Sequence, residues 1–123
     1  MRDYWSLGLC GRILHMPQPI LVLVRDLMFA SKISATAQAA GVPVKLIRDP
    51  EKLADESGDR LIVDLNQAGA LEAATKWKAD SGTHVIGFVS HVDRETIDRA
   101  RSLGIDEVLP RSQFVQRLAD LLR

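Results

Sequence analysis

The sequence predicts an α/β fold: five parallel strands in the order 2-1-3-4-5, with helices packed on both faces of the sheet. Three observations carry this expectation. Short apolar runs, largely β-branched, recur five times along the chain, as strands buried on both sides require. Between them lie segments whose apolar residues fall at helical spacing. The two kinds of segment alternate at roughly 20-residue intervals, the rhythm of right-handed βαβ units.

With 123 residues, 46% of them apolar, the chain fits one compact domain with its own core. Sixteen basic residues balance sixteen acidic ones, and the signs alternate through the second half, so the charge footprint of a nucleic-acid binder is missing. The single cysteine, Cys10, has no internal disulfide partner. With no membrane-length apolar run and no export signal, the expected location is the cytoplasm.

Residues 1–18 show neither helical nor strand periodicity and read as an irregular or mobile extension, with Met16 as a second possible start; residues 19–123 form the domain. Ile20 to Val24 is the first strand. Ala30, Ile33, Ala37 and Ala40 give the first helix its buried stripe, opened at Asp26 and stopped at Gly41. Val42 to Ile47, interrupted by Pro43 and Lys45, suits an edge strand. Asp49-Pro50 pairs a capping acid with proline at the first helical position, starting a short second helix that runs through Ala54.

Leu61 to Leu65 is the third strand, followed by a helix striped with Ala70, Ala73, Ala74 and Trp77 and broken at Ser81-Gly82. Val85 to Val89 is the fourth. Asp93 caps a fourth helix, charged on its outer side, with Ile97 and Ala100 inward and Gly104 as its stop. Glu107 to Leu109 is a short fifth strand, and Ser112 is expected to cap a fifth helix with a broad apolar face of Phe114, Val115, Leu118, Leu121 and Leu122.

Strand order makes the first and third strands neighbours, so Arg25, Asp26 and Asp64 meet at one sheet edge with Ser90 beside them. Open α/β sheets place their ligands in that crevice. At these residues the chain resembles the receiver domain of two-component response regulators, from about Pro19 to Arg123, which implies a three-layer flavodoxin-like architecture. Asp64, within Ile62-Val63-Asp64-Leu65-Asn66, matches the family's phosphoacceptor. Ser90 matches the hydroxyl residue that ends the fourth strand, and Asp26 the second of two acids that help hold Mg²⁺. The resemblance thus implies Asp26 and Asp64 as metal-side residues, and the expected pocket is made of Arg25, Asp26, Asn66, Ser90 and Arg111.

Three positions depart from the family pattern. Arg25 stands where the first acid belongs. Pro110-Arg111 stands where a lysine ends the fifth strand, and the proline usual after the phosphoacceptor is missing from Leu65-Asn66-Gln67-Ala68-Gly69. Mg²⁺ needs hard oxygen ligands, and a guanidinium in place of an acid deletes one and repels the ion. Arg25 is expected to pair with Asp64 or Asp26 and neutralise the pocket without metal. Transfer to a carboxylate depends on such electrostatic stabilisation.

The expected function is therefore an atypical receiver used as a regulatory protein-interaction module, without efficient Mg²⁺-dependent phosphorylation and without an enzyme's catalytic residues. No cofactor is expected, with Mg²⁺ only if phosphorylation is retained. Partners would be a histidine kinase or effector protein, or a second copy through the fourth and fifth helices at Phe114 and Leu118. The rivals are a conventional receiver phosphorylated on Asp64 and an anion or small-molecule sensor using the same crevice.

Other classes fit less well. The turn Arg25-Asp26-Leu27-Met28-Phe29 lacks the glycines of a dinucleotide site and the hydroxyls of a flavin phosphate cradle, and no phosphate-binding P-loop pattern is present. His15, His84 and His91 have no metal-ligand spacing. Trp77 reads as packing, while Trp5 and Cys10 fall in the extension.

Overall fold

The structure is a computed structural model that describes residues 18–90 and 93–123; Trp5, Cys10, His15, Met16 and His91 lie outside the described residues. Its sheet holds β1 (Ile20–Leu23), β2 (Val44–Ile47), β3 (Arg60–Asp64), β4 (His84–Val89) and β5 (Glu107–Pro110). The order is β2-β1-β3-β4-β5, and every pairing is parallel. The helices are α1 (Leu27–Ala39), α2 (Ala70–Ser81), α3 (Arg94–Ser102), α4 (Arg111–Gln116) and α5 (Leu118–Leu121), with a 3-10 helix over Pro50–Asp55. This is the predicted architecture, strand order included.

Period-two alternation divides the strand side chains between two cores. Leu21, Leu23, Leu61, Val63 and Val85 pack with Leu53 of the 3-10 helix, Leu71, Ala74 and Trp77 of α2, and Ala100 of α3. Ile20, Val22, Ile62, Ile86 and Phe88 face the other way, onto Phe29 and Ile33 of α1 and Phe114, Leu118 and Leu121 of α4 and α5. Each large side chain so buried contributes about 1.5–3 kcal/mol of transfer free energy.

The end of the chain differs from expectation. Helix α4 begins at Arg111 directly from Pro110, without a side-chain cap from Ser112, and a break at Arg117 separates it from α5. β5 runs one residue further than expected, to a Val89–Pro110 pairing, and Pro110, still extended at φ −61° and ψ 148°, is the residue from which the helix starts.

Phe114 and Leu118 also correct the expected interface. Phe114 is 0% exposed and Leu118 3%, because the apolar face of α4 and α5 is spent on the sheet and α1. Arg60 holds the chain end in place by donating to the carbonyls of Leu121 at 2.6 Å and Arg123 at 2.8 Å.

Gly87 positions the loop after β3. A Cβ there would stand 2.6 Å from Leu65 Cδ1, so the missing side chain lets Leu65, 5% exposed, lie across β4. That anchor, with the Leu65 N–H bonded to the Phe88 carbonyl at 2.9 Å, fixes where Asp64 ends the strand.

Candidate functional site at the C-terminal strand ends

Asp26 stands between β1 and α1 and caps the helix as expected. Its Oδ1 accepts from the backbone N–H of Met28 at 3.0 Å and of Phe29 at 3.2 Å, two of the donors a helix start leaves unpaired. Its Oδ2 accepts from Arg111 at 3.3 Å. The Phe29 N–H bond, then the Arg111 hydrogen bond, hold the Asp26 carboxyl below the ordinary range. Both oxygens are engaged.

Arg111 is the cation of the pocket, and Arg25 is not. Arg25 is exposed, and no ion pair among the described residues joins it to Asp26 or Asp64; the charge acting on both acids is that of Arg111. The expected Arg25 salt bridge is therefore replaced by one from the start of α4, after the edge strand β5. Arg111 follows Pro110 at the start of α4, and from there its guanidinium reaches Asp26 beside β1.

The Arg111 guanidinium also lies 3.9 Å from the centroid of the Phe29 ring, a distance at which a cation is drawn to the aromatic face. Phe29 in turn packs on Phe88 at 5.0 Å and Phe114 at 5.8 Å, and those two rings stack at 4.8 Å. Three rings from α1, β4 and α4 thus form a platform under the cation. Phe29 was not among the pocket residues expected from sequence. Its signal was its place three residues after a capping acid, one turn from the site.

Asp64 ends β3 half-buried, its Oδ1 accepting from the Asn66 N–H at 2.9 Å. Burial pushes its carboxyl up; the Asn66 bond and the Arg111 charge oppose that without cancelling it, and the Asp26 charge adds to it. Asn66 joins the site through its side chain, whose Oδ1 accepts from the backbone N–H of Ser90 at 2.6 Å. Ser90 is exposed, and its link to the loop is by backbone. Asp26, Asp64, Asn66, Ser90 and Arg111 are gathered at one sheet edge.

Mg²⁺ takes oxygen ligands in a near-octahedral shell. Here the two acids are Asp26 and Asp64, Asp26 is already shared between a helix cap and a guanidinium, and no cluster of three or more His, Cys, Asp or Glu residues suited to a metal occurs among the described residues.

Gln67 extends the site toward β2. Its Nε2 donates to the Arg48 carbonyl at 2.8 Å, tying the loop after β3 to the loop after β2, while its Oε1 is buried without a hydrogen-bond partner. No helix among the described residues is long and apolar enough to cross a membrane.

No family model and no curated protein matches the chain. Solved structures do. A CheY-like response regulator receiver domain protein from Methanospirillum hungatei superposes with a TM-score of 0.72 at 14% identity, over 87% of this chain and 94% of the other. The phosphorylated cyanobacterial phytochrome response regulator RcpA gives 0.73 at 17% identity, over 86% and 91%. An orphan response regulator of H. pylori gives 0.70 at 18%, over 86% and 97%. At such identities the likeness speaks to the fold: the chain has the five-stranded flavodoxin-like architecture of CheY-like receiver domains.

Proposed function

We propose that this chain is a regulatory protein-interaction module built on the receiver scaffold, with a tethered guanidinium in the place where a metal-dependent receiver would hold its cation. The observation that carries this reading is the commitment of Asp26, whose two oxygens are taken by the first turn of α1 and by Arg111. A carboxylate so engaged is a poor metal ligand, and without the ion the transfer of a phosphoryl group to Asp64 loses its main electrostatic support.

Partners in this reading are proteins: a kinase or effector, or a second copy of the chain. Because Phe114 and Leu118 are buried, pairing through α3 and α4 would use exposed groups such as Asp98, Arg101 and Gln113. Sedimentation showing a monomer at every concentration would remove the homodimer version.

A second reading is a conventional phosphoacceptor. Asp64 ends the central strand beside the loop of Asn66 and Ser90, and RcpA is itself described as phosphorylated. Incubation with acetyl phosphate and Mg²⁺, read by intact mass, separates the two. No adduct is expected. An adduct that Asp64→Asn abolishes would establish the second reading in place of the first.

A further inference from the structure

β2 is an edge strand, since the order β2-β1-β3-β4-β5 leaves it with one neighbour. In a parallel pair, alternate residues turn their peptide groups toward the neighbouring strand. The Pro43 carbonyl accepts from the Ile20 N–H at 2.9 Å and the Ile47 carbonyl from the Val24 N–H at 3.2 Å, so Pro43, Lys45 and Ile47 serve β1. Val44 and Leu46 turn theirs outward, where no hydrogen-bond partner meets them among the described residues. Such an edge is a template for one more strand.

Sheet edges are commonly guarded by a lysine on the edge strand. Here Lys45 is drawn aside: its Nζ lies 2.7 Å from Glu56 Oε1, on the face where its register partner Leu21 packs with Leu53. Leu46 belongs to the other face, as its register partner Val22 does, and is 42% exposed. The edge therefore offers free backbone and an apolar side chain together.

Between the edge and the 3-10 helix runs a groove of about 350 Å³, whose charged lining is Lys45, Arg48, Asp49, Lys52 and Glu56. Both of its acids are engaged: Glu56 by Lys45, and Asp49 through Oδ1, which accepts from the Glu51 N–H at 3.0 Å as the helix cap. Arg48 and Lys52 are exposed and form no ion pair among the described residues. The charge left unmatched along this edge is positive.

A second copy of the chain fits here poorly. Pairing two β2 strands antiparallel through Val44 and Leu46 sets Lys45 opposite Lys45, and like charges directly opposite destabilise a strand pair. We propose that β2 is the docking edge for an extended segment of a partner protein, which adds as a further strand and alternates acidic with apolar residues. Its backbone pairs with Val44 and Leu46, its acids meet Arg48 and Lys52, and its apolar side chains lie beside Leu46 on the α1 face. The edge is separate from the Asp64 pocket, so docking there is open whether or not that acid is modified.

The probe is an end-capped eight-residue peptide alternating glutamate and valine, titrated into the full chain at low salt. The amide signals of Val44 and Leu46 are expected to shift to saturation and to exchange with solvent severalfold more slowly, while those of α3 and α5 stay in place. A peptide with lysine for each glutamate should bind severalfold more weakly. Lys52→Glu, at an exposed position, should weaken binding of the glutamate peptide about threefold. Leu46→Pro removes an outward N–H, which an edge strand tolerates, and should weaken it further.

Equal binding of the two peptides, or undiminished binding by Lys52→Glu, would overturn the acidic partner. Shifts centred on α2 or on Asp64 would overturn the edge, as would Val44 and Leu46 signals that stay in place at the highest peptide concentration. If those signals move with protein concentration alone, the occupant is a second copy and the proposal is wrong.

Discussion

The sheet ends in two acids of the same type whose surroundings drive them in opposite directions. Asp106, at the entry to β5, is met by Lys78 Nζ at 2.7 Å and the Val85 N–H at 2.7 Å. Burial works to raise its carboxyl, but Lys78, the Val85 N–H and His84 more than offset that and leave it lowered. Asp64, at the exit of β3, has one backbone N–H and no direct ion pair among the described residues, and burial wins. One acid is a structural tie, and the other is kept at a cost to the folded state, which is where function is sought.

The comparison extends to how each end is held. Around Asp106 the elements are joined by polar contacts: Lys78 from α2 to Asp106 itself, and His84 from β4 and Arg117 each at 3.3 Å from Glu107. Around Asp64 they are joined by rings, with the Arg111 guanidinium resting on Phe29.

The largest effect should come from the ring platform. Phe114→Ala empties the 0%-exposed site beneath Phe29 and Phe88, and a loss of about 3–5 kcal/mol in urea unfolding is expected. A loss below about 1 kcal/mol, the size of a surface change, would mean that the aromatic end is not held by its rings. Next comes Asp106→Ala, which orphans the Val85 N–H and leaves Lys78 only its bond to the Thr83 carbonyl; about 1–3 kcal/mol should be lost, measured in the same way. If that variant unfolds at the parent's midpoint, the charged end is decoration and the contrast between the ends fails.

Much of this was legible in the sequence because it depends on local backbone chemistry. Asp26, Asp49 and Asp93 cap where expected, since a short acid before an apolar period has few other uses. Strand number and order follow from the spacing of buried runs. What periodicity could not say is what covers an apolar face: Phe114 and Leu118 fit a core or an interface equally until α1 is seen against them.

The pairing of Asp26 was hidden for a different reason. Arg25 is its neighbour in sequence, and Arg111 is 85 positions away. Which of them reaches the acid is decided by how α4 sits against the end of β1, a tertiary relation that local sequence patterns do not carry. The aromatic platform was hidden likewise, since its rings come from α1, β4 and α4 and meet only when the sheet is assembled.

The smallest effect has the most telling sign. Because the folded-state carboxyl of Asp64 is raised, the unfolded chain ionises first as pH climbs past the ordinary value of 3.8, and stability is lost from there up through the folded value. Asp64→Asn removes that loss while its side-chain oxygen can still accept from the Asn66 N–H. The variant should therefore be more stable than the parent at about pH 7, with the gain shrinking to nothing as both acids protonate below the ordinary range. Arg111→Met withdraws the cation that partly opposes the rise, so the gain from Asp64→Asn should be larger in that background. Stability curves across pH for the four chains decide it. If Asp64→Asn destabilises the parent at neutral pH, Arg111 is holding Asp64 as a full ion-pair partner, and the two ends of the sheet are built alike.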